Sequence, residues 1–237
     1  MIQMCFQDRA DAGRQLGERL KGLPHHRPLV LAIPRGGIEV ALPIAEALHA
    51  ELDVVLSRKL RSPSQPELAL GAISETGEVH LNNNGRTITE AGRAWIEREK
   101  AHQRQEIDRF RQLARSVRPM AGLADRTVIV VDDGIATGST MLAALRTVRM
   151  SRPRELVVAV PVAPADRLRE VRSLADRVVC LQEPEVFWAV GQFYRSFEQV
   201  SDDRVLEALR EHGSPDPHPG RARAGLRAAG SGADGSD

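Results

Sequence analysis

Residues Thr127–Met141 read TVIVVDDGIATGSTM. Thr127 opens a run of four apolar, β-prone residues, Val128, Ile129, Val130 and Val131, which stops at Asp132-Asp133-Gly134. A small-residue loop follows through Ile135, Ala136, Thr137, Gly138, Ser139 and Thr140, and an apolar helical pattern begins at Met141. A short continuous apolar run predicts a strand buried on both faces, hence a central strand of a parallel sheet. In open α/β sheets the loop at the C-terminal end of such a strand is where ligands bind. Gly138 lets the backbone approach a ligand. Ser139 and Thr140 bring hydroxyls and N–H groups to a helix N-terminus, which favours an anion and above all a phosphate. Asp132 and Asp133, when ionised, suit paired ribose hydroxyls or a hydrated Mg²⁺. Together they suit a sugar phosphate. A Walker B acid would need a G-x-x-x-x-G-K-[ST] loop, which the chain lacks, and the acid pair of a receiver domain would follow the first strand. A plain strand, turn and capped helix would need only one acid or hydroxyl.

Outward from this stretch, strands and helices alternate. Asp8–Lys21 has Ala12, Leu16 and Leu20 near one face, with Asp8 as N-cap. Leu29–Ile33 is a second buried strand and runs into Pro34-Arg35-Gly36-Gly37 and a helix over Ile38–Ala50; strand, Gly-Gly loop and helix is again an anion-binding arrangement. Leu52–Leu56 predicts a third strand ending at a turn, Ser57-Arg58-Lys59. Pro63–Glu67 breaks regular structure, Leu68–Ser74 pairs with Val79–Leu81 across Glu75–Glu78, and a turn begins at Asn82. Thr87 or Thr89 caps a long charged helix to Val117 with Ile107, Phe110, Ala114 and Val117 in one stripe, a helix lying over the core or a lid or dimer element. Met141–Met150 is helical. Glu155–Val160 is a strand ending at Pro161, Pro164–Leu174 a helix, and Arg177–Leu181 a strand with Cys180 at its end. Such a series predicts an α/β fold with a mainly parallel twisted sheet and flanking helices. Next, Glu185–Tyr194 gathers Phe187, Trp188, Phe193 and Tyr194 from a chain poor in aromatics, and Ser201–Glu211 is a final amphipathic helix. One domain over 1–212 is expected, and from Gly213 to Asp237 a Gly, Ala, Pro, Arg and Ser composition predicts a disordered tail.

The chain's 237 residues suffice for one α/β core, and its net charge is +1. Near balance excludes the basic excess of a nucleic-acid binder, and no run approaches the ~20 apolar residues of a membrane helix. Cys5 and Cys180, at no metal-ligand spacing, point to reduced thiols in the cytoplasm. His25 and His26 read as solvated.

VIVVDDGIATGST resembles the phosphoribosyl pyrophosphate (PRPP) motif of type I phosphoribosyltransferases, and IPRGGIEVA resembles their pyrophosphate loop. FQDRADAGRQL, RKLRSPSQPELALGAI and FWAVGQFY resemble a bacterial group of uncharacterised members. The resemblance, over about residues 5–210, implies the type I fold, with a helical insertion over 82–118 and a small C-terminal hood over 182–200. It implies a transferase of nucleotide metabolism that uses Mg²⁺-PRPP and a small-molecule acceptor, with homodimer formation open. By resemblance Asp132 and Asp133 contact the ribose hydroxyls, and Ala136–Thr140, with Gly134, wrap the 5′-phosphate. Arg35, Gly36 and Gly37 hold pyrophosphate, as do Arg58 and Lys59, whose charge stabilises the leaving group. Phe187 or Trp188 stacks on the base, and no residue ligates the metal directly, Asp132 and Asp133 reaching it through water. Two departures matter. Ala136 stands where 6-oxopurine transferases have an acid/base Asp, and Arg195-Ser196 follow Val190-Gly191 where their hood has an Asp. These point to an acceptor other than a 6-oxopurine, and leave open a PRPP- or nucleotide-binding regulator without turnover.

Overall fold

The computed structural model describes residues 5–62, 69–81, 85 and 90–212. The break at 63–67, the turn from Asn82, the caps at Thr87 or Thr89 and the tail from Gly213 lie outside the described residues. In chain order the elements are α1 (Arg9–Lys21), β1 (Leu29–Ala32), α2 (Gly37–Leu48), β2 (Glu51–Val54), β3 (Ser57–Arg61), β4 (Ala69–Ser74), β5 (Val79–Leu81), α3 (Glu90–Val117), β6 (Thr127–Val131), α4 (Ser139–Met150), β7 (Glu155–Val162), α5 (Ala165–Arg172), β8 (Arg177–Gln182), a 3-10 turn (Val190–Phe193) and α6 (Asp202–Glu211).

Five strands form a parallel sheet in the order β2-β1-β6-β7-β8, and three form an antiparallel sheet, β3-β4-β5. β1 leads through α2 to β2 on one side, while β6 leads through α4 to β7 on the other. The chain therefore changes direction between β1 and β6, whose last residues Ala32 and Val131 are paired. At such a switch point the loops leaving the two strands part and open a crevice.

Every residue of β6 is buried, as its apolar run predicts. Alternate residues serve opposite faces. Ile129 and Val131 join Val30 and Ala32 in a core under α1, α2, α3 and α6, whereas Val128 and Val130 join Leu29 and Leu31 under α4 and α5. Asp8 caps α1, its Oδ1 accepting from Asp11 N–H at 2.7 Å. The long helix lies over the core: Ile107, Phe110 and Ala114 are buried. Its C-terminal half is tied to β2 by Asp53, 1% exposed, whose carboxylate accepts from Arg115 Nη1 at 2.8 Å and from the N–H of Ala121 at 2.9 Å.

Two expectations are corrected. The single strand Leu52–Leu56 with a turn at Ser57–Lys59 is two strands: β2 leaves the parallel sheet at Val54, and Arg58 and Lys59 lie on β3, paired with Ile73 and Ala72 of β4. The run's buried residues belong to two sheets, which periodicity does not separate. Pro161 does not end β7. The β6 ladder stops at Val131↔Ala159, so a residue without an N–H two positions on disrupts no pairing with β6. Cys180 accordingly lies inside β8, and burial pushes its thiol up to about 11. Cys5 and Cys180 are unpaired thiols. No helix among the described residues is long and apolar enough to cross a membrane.

Candidate active site

β6 delivers its two acids to the crevice together. Asp132 Oδ1 accepts the N–H of Asp133 at 2.9 Å. Asp133 Oδ2 accepts Arg9 Nε–H at 2.7 Å, with both side chains largely buried. The Arg9 guanidinium also lies 3.7 Å from the Phe197 ring centroid and donates to the carbonyl of Glu198 at 2.7 Å. The Tyr194 hydroxyl donates to the backbone carbonyl of Asp133 at 2.6 Å; burial pushes it far up, so it stays a donor. Burial pushes both carboxyls above their usual range, more so for Asp132, where the charge of Asp133 adds. Arg9 and Lys59 act in the opposite direction on both.

The N-terminal segment and the C-terminal hood set these partners jointly. Phe6 N–H donates to Phe193 O at 2.8 Å, while Arg195 and Ser196 donate to Phe6 O and Gln7 O, each at 2.9 Å. Arg195 and Ser196, which stand where the resemblance would place an acid, thus serve this pairing through their backbones. It brings Arg9 from one side and Tyr194 from the other onto Asp133.

Past the acids the loop turns into α4. Gly138 precedes the helix at φ 78°, a left-handed conformation that glycine adopts without the Cβ penalty. No side chain caps the helix at Gly138, and Gly138, Thr140 and Met141 at its start line the crevice; a helix N-terminus is a place where anions are favoured. Thr140 Oγ1 is buried with no hydrogen-bond partner among the described residues. A buried hydroxyl left unpaired is costly, and its residue is one of those that line the crevice.

The Gly-Gly loop serves differently. Gly36 is in right-handed backbone, φ −57°, but a Cβ there would lie 2.0 Å from Asp133 Oδ2. The Pro34–Arg35 peptide is cis. The Arg35 side chain turns to α6, with Nε 2.9 Å from Asp202 Oδ1.

The crevice encloses about 250 Å³. Asp132, Asp133, Gly134, Ala136, Thr137, Gly138 and Thr140 line it, faced by Arg58 and Lys59 of β3, Gln103 of α3 and Val190 of the hood. The structure thus brings together the acids, the small-residue loop that follows them and the cation pair. Ser139, Arg35, Gly36 and Gly37 do not line it, the glycines instead backing the two acids. Phe187 and Trp188 do not line it either: Phe187 packs on Phe193 with centroids 5.2 Å apart, and Trp188 is 86% exposed. Among the described residues no three His, Cys, Asp or Glu side chains converge on one point.

The sequence profile of the phosphoribosyl transferase domain matches residues 8–198. The chain belongs to the phosphoribosyl transferase family. Two Mycobacterium tuberculosis proteins, from strains CDC 1551 and H37Rv and provisionally named phosphoribosyl transferases, are 44% identical over 204 residues, covering 86% of this chain and 46% of each relative. The chain therefore spans about half the length of these relatives. A crystal structure of a Thermus thermophilus protein superposes with a TM-score of 0.74 at 43% identity, covering 89% of this chain and all of that one. The five-stranded parallel sheet with its flanking helices is the fold this family membership implies.

Reasoning from the sequence missed Arg9, Tyr194, Gln103 and Asp202. Arg9 lies in FQDRADAGRQL, whose local pattern shows only the start of a helix. Its partner is 124 positions away, so no local spacing marks it.

Proposed function

We propose that the protein is a phosphoribosyltransferase whose donor is Mg²⁺-bound PRPP and whose acceptor is a nitrogen nucleophile, a nucleobase other than a 6-oxopurine. One observation carries this reading: the Asp132–Thr140 loop and the Arg58–Lys59 pair face each other across one crevice at the switch point. The N–H groups opening α4 and the unpaired Thr140 hydroxyl would hold the 5′-phosphate. Asp132 and the Asp133 oxygen not bonded to Arg9 would accept from the ribose hydroxyls. Arg58 and Lys59 would hold the pyrophosphate, stabilising charge that grows as the C1–O bond breaks. Arg9 and Tyr194 would keep Asp133 in place. Phe187 or Trp188 would reach the base only from the hood, beyond Val190.

A hydrated Mg²⁺ fits beside Asp132: no cation among the described residues forms a salt bridge with this carboxyl, and burial next to Asp133 disfavours its charge. When bound, the ion would neutralise the diphosphate leaving group. The acceptor's proton would go to water or to Asp132, because no His, Glu or Tyr among the described residues lines the crevice. That scarcity, with Ala136 in place of an acid, favours a second reading of ligand binding without turnover. The free thiols fit a cytoplasmic setting.

Pyrophosphate release from PRPP and Mg²⁺ against adenine, uracil, hypoxanthine and guanine separates the two. Release with adenine or uracil, and none with the 6-oxopurines, is expected. PRPP binding without release from any acceptor would replace the first reading by the second. Absence of PRPP binding would remove both.

A further inference from the structure

Asp202, in the first turn of α6, lies between two arginines. Arg109 Nη2 of α3 donates to its Oδ2 at 2.8 Å, and Arg35 Nε of the loop after β1 lies 2.9 Å from its Oδ1, a buried oxygen that has no hydrogen-bond partner among the described residues. A third guanidinium belongs to the same group. Arg58 lines the crevice, is half-buried, and makes no salt bridge among the described residues. Burial, and next the charge of Arg35, hold its pKa below the usual guanidinium value, with Arg109 acting the same way and Asp202 opposing. Glu106 lies 3.5 Å from Arg109. Arg35 and Arg109 thus flank Asp202, and Arg58, which lines the crevice, is close enough to feel the charge of all three.

Asp202 satisfies one arginine by a hydrogen bond and the other only by charge, whereas a phosphate group has more oxygens and more charge to offer both. The Arg35 and Arg109 side chains are 43% and 46% exposed. Ion pairs at such exposure contribute little, so their exchange for a more highly charged anion is easy. Arg58, without a carboxylate of its own, would gain most from such an anion.

We propose that Asp202 stands in for the donor's pyrophosphate: it holds Arg35 and Arg109 until pyrophosphate displaces it, and Arg109 of the long helix then binds pyrophosphate together with Arg35 and Arg58. This rests on the PRPP-donor reading and adds to it a ligand from α3 and an internal competitor from α6. It also explains why Arg35, in a loop placed for pyrophosphate, turns away from the crevice.

The test is titration calorimetry of magnesium pyrophosphate into the full chain, comparing wild type with Asp202→Asn, Arg109→Gln and Asp203→Asn. Asp203 is exposed in the same helical turn, and its variant controls for a general change of charge at the N-terminus of α6. Asp202→Asn should bind pyrophosphate about fivefold to tenfold more tightly, Arg109→Gln weaker by a similar factor, and Asp203→Asn within about twofold of wild type. Should Asp202→Asn melt well below wild type, Arg109→Gln decides alone, since it leaves the start of α6 unchanged. Equal binding by all four proteins would overturn the displacement while leaving the donor reading standing. Equal tightening by Asp202→Asn and Asp203→Asn would reduce it to helix electrostatics. No binding by any of them would remove both readings.

Discussion

Ile33–Gly37 and Asp132–Gly138 leave neighbouring paired strands, and each runs into a helix of 12 residues. Both contain a glycine at the helix start, yet for different reasons. Gly138 has room for a Cβ, the nearest atoms being 3.8 Å away, but its φ of 78° demands glycine. Gly36 has an ordinary φ of −57° but no room, with the Asp133 carboxylate 2.0 Å from where its Cβ would be. The second loop therefore lines the crevice and leads into the start of α4, while the first is a backing plate for the acids of the second. Two loops with the same strand, glycine, helix pattern become one site by dividing the work, and the pattern alone does not say which does which.

Substitutions that exploit the difference have unequal effects. Gly36→Ala should act most strongly, because the methyl group must displace Asp133. PRPP binding should fall by on the order of a hundredfold, with ~1–3 kcal/mol of overpacking cost in chemical denaturation. A variant that binds like wild type would show that the glycine loop does not back the acid.

Arg9→Met comes next. It leaves a largely buried carboxylate without its cation, a loss of about 3 kcal/mol near neutral pH. The sign of its pH dependence follows from Asp133, whose folded pKa is raised by burial. Such a group favours the folded state below its ordinary pKa, and that contribution is lost as pH rises through the folded value. Without Arg9 opposing the rise, the loss is larger. The difference in melting temperature between wild type and Arg9→Met should therefore widen from acid to neutral pH. A constant difference would mean that Arg9 acts through Phe197 and Glu198 rather than through the acid.

Gly138→Ala should cost ~1–2 kcal/mol of stability through backbone strain, with no collision. The smallest effect belongs to Thr140→Val, which removes the unpaired hydroxyl at nearly constant shape. Stability should hold or rise slightly, while affinity for ribose 5-phosphate should drop by about fivefold, the loss of ~1 kcal/mol. Unchanged affinity would place the phosphate elsewhere on the loop.

What could be read in advance divides along the same line. The β6 strand, the Asp pair and the turn into α4 lie within fifteen consecutive residues, Thr127–Met141, so local pattern and chemistry sufficed. The parallel sheet followed from alternation of strands and helices, and the stripe of Ile107, Phe110 and Ala114 gave the buried face of α3. Less was visible wherever a side chain's role depends on contacts far along the chain. Arg9 reaches Asp133 only because residues 6–7 pair with the hood, and Arg35 turns to Asp202 because α6 packs beside α2 and α3. The split between β2 and β3 escaped for a related reason. Val54, Val55 and Leu56 are all buried, and a buried run carries no mark of the point where it leaves one sheet for another.

The most direct measurement is titration calorimetry of PRPP with Mg²⁺ into wild type and Asp133→Asn. Wild type should bind, and the variant should bind about a hundredfold more weakly, a loss of ~3 kcal/mol for one electrostatic group in the site. No binding by wild type, or equal binding by both proteins, would contradict a PRPP site at the Asp132–Thr140 loop.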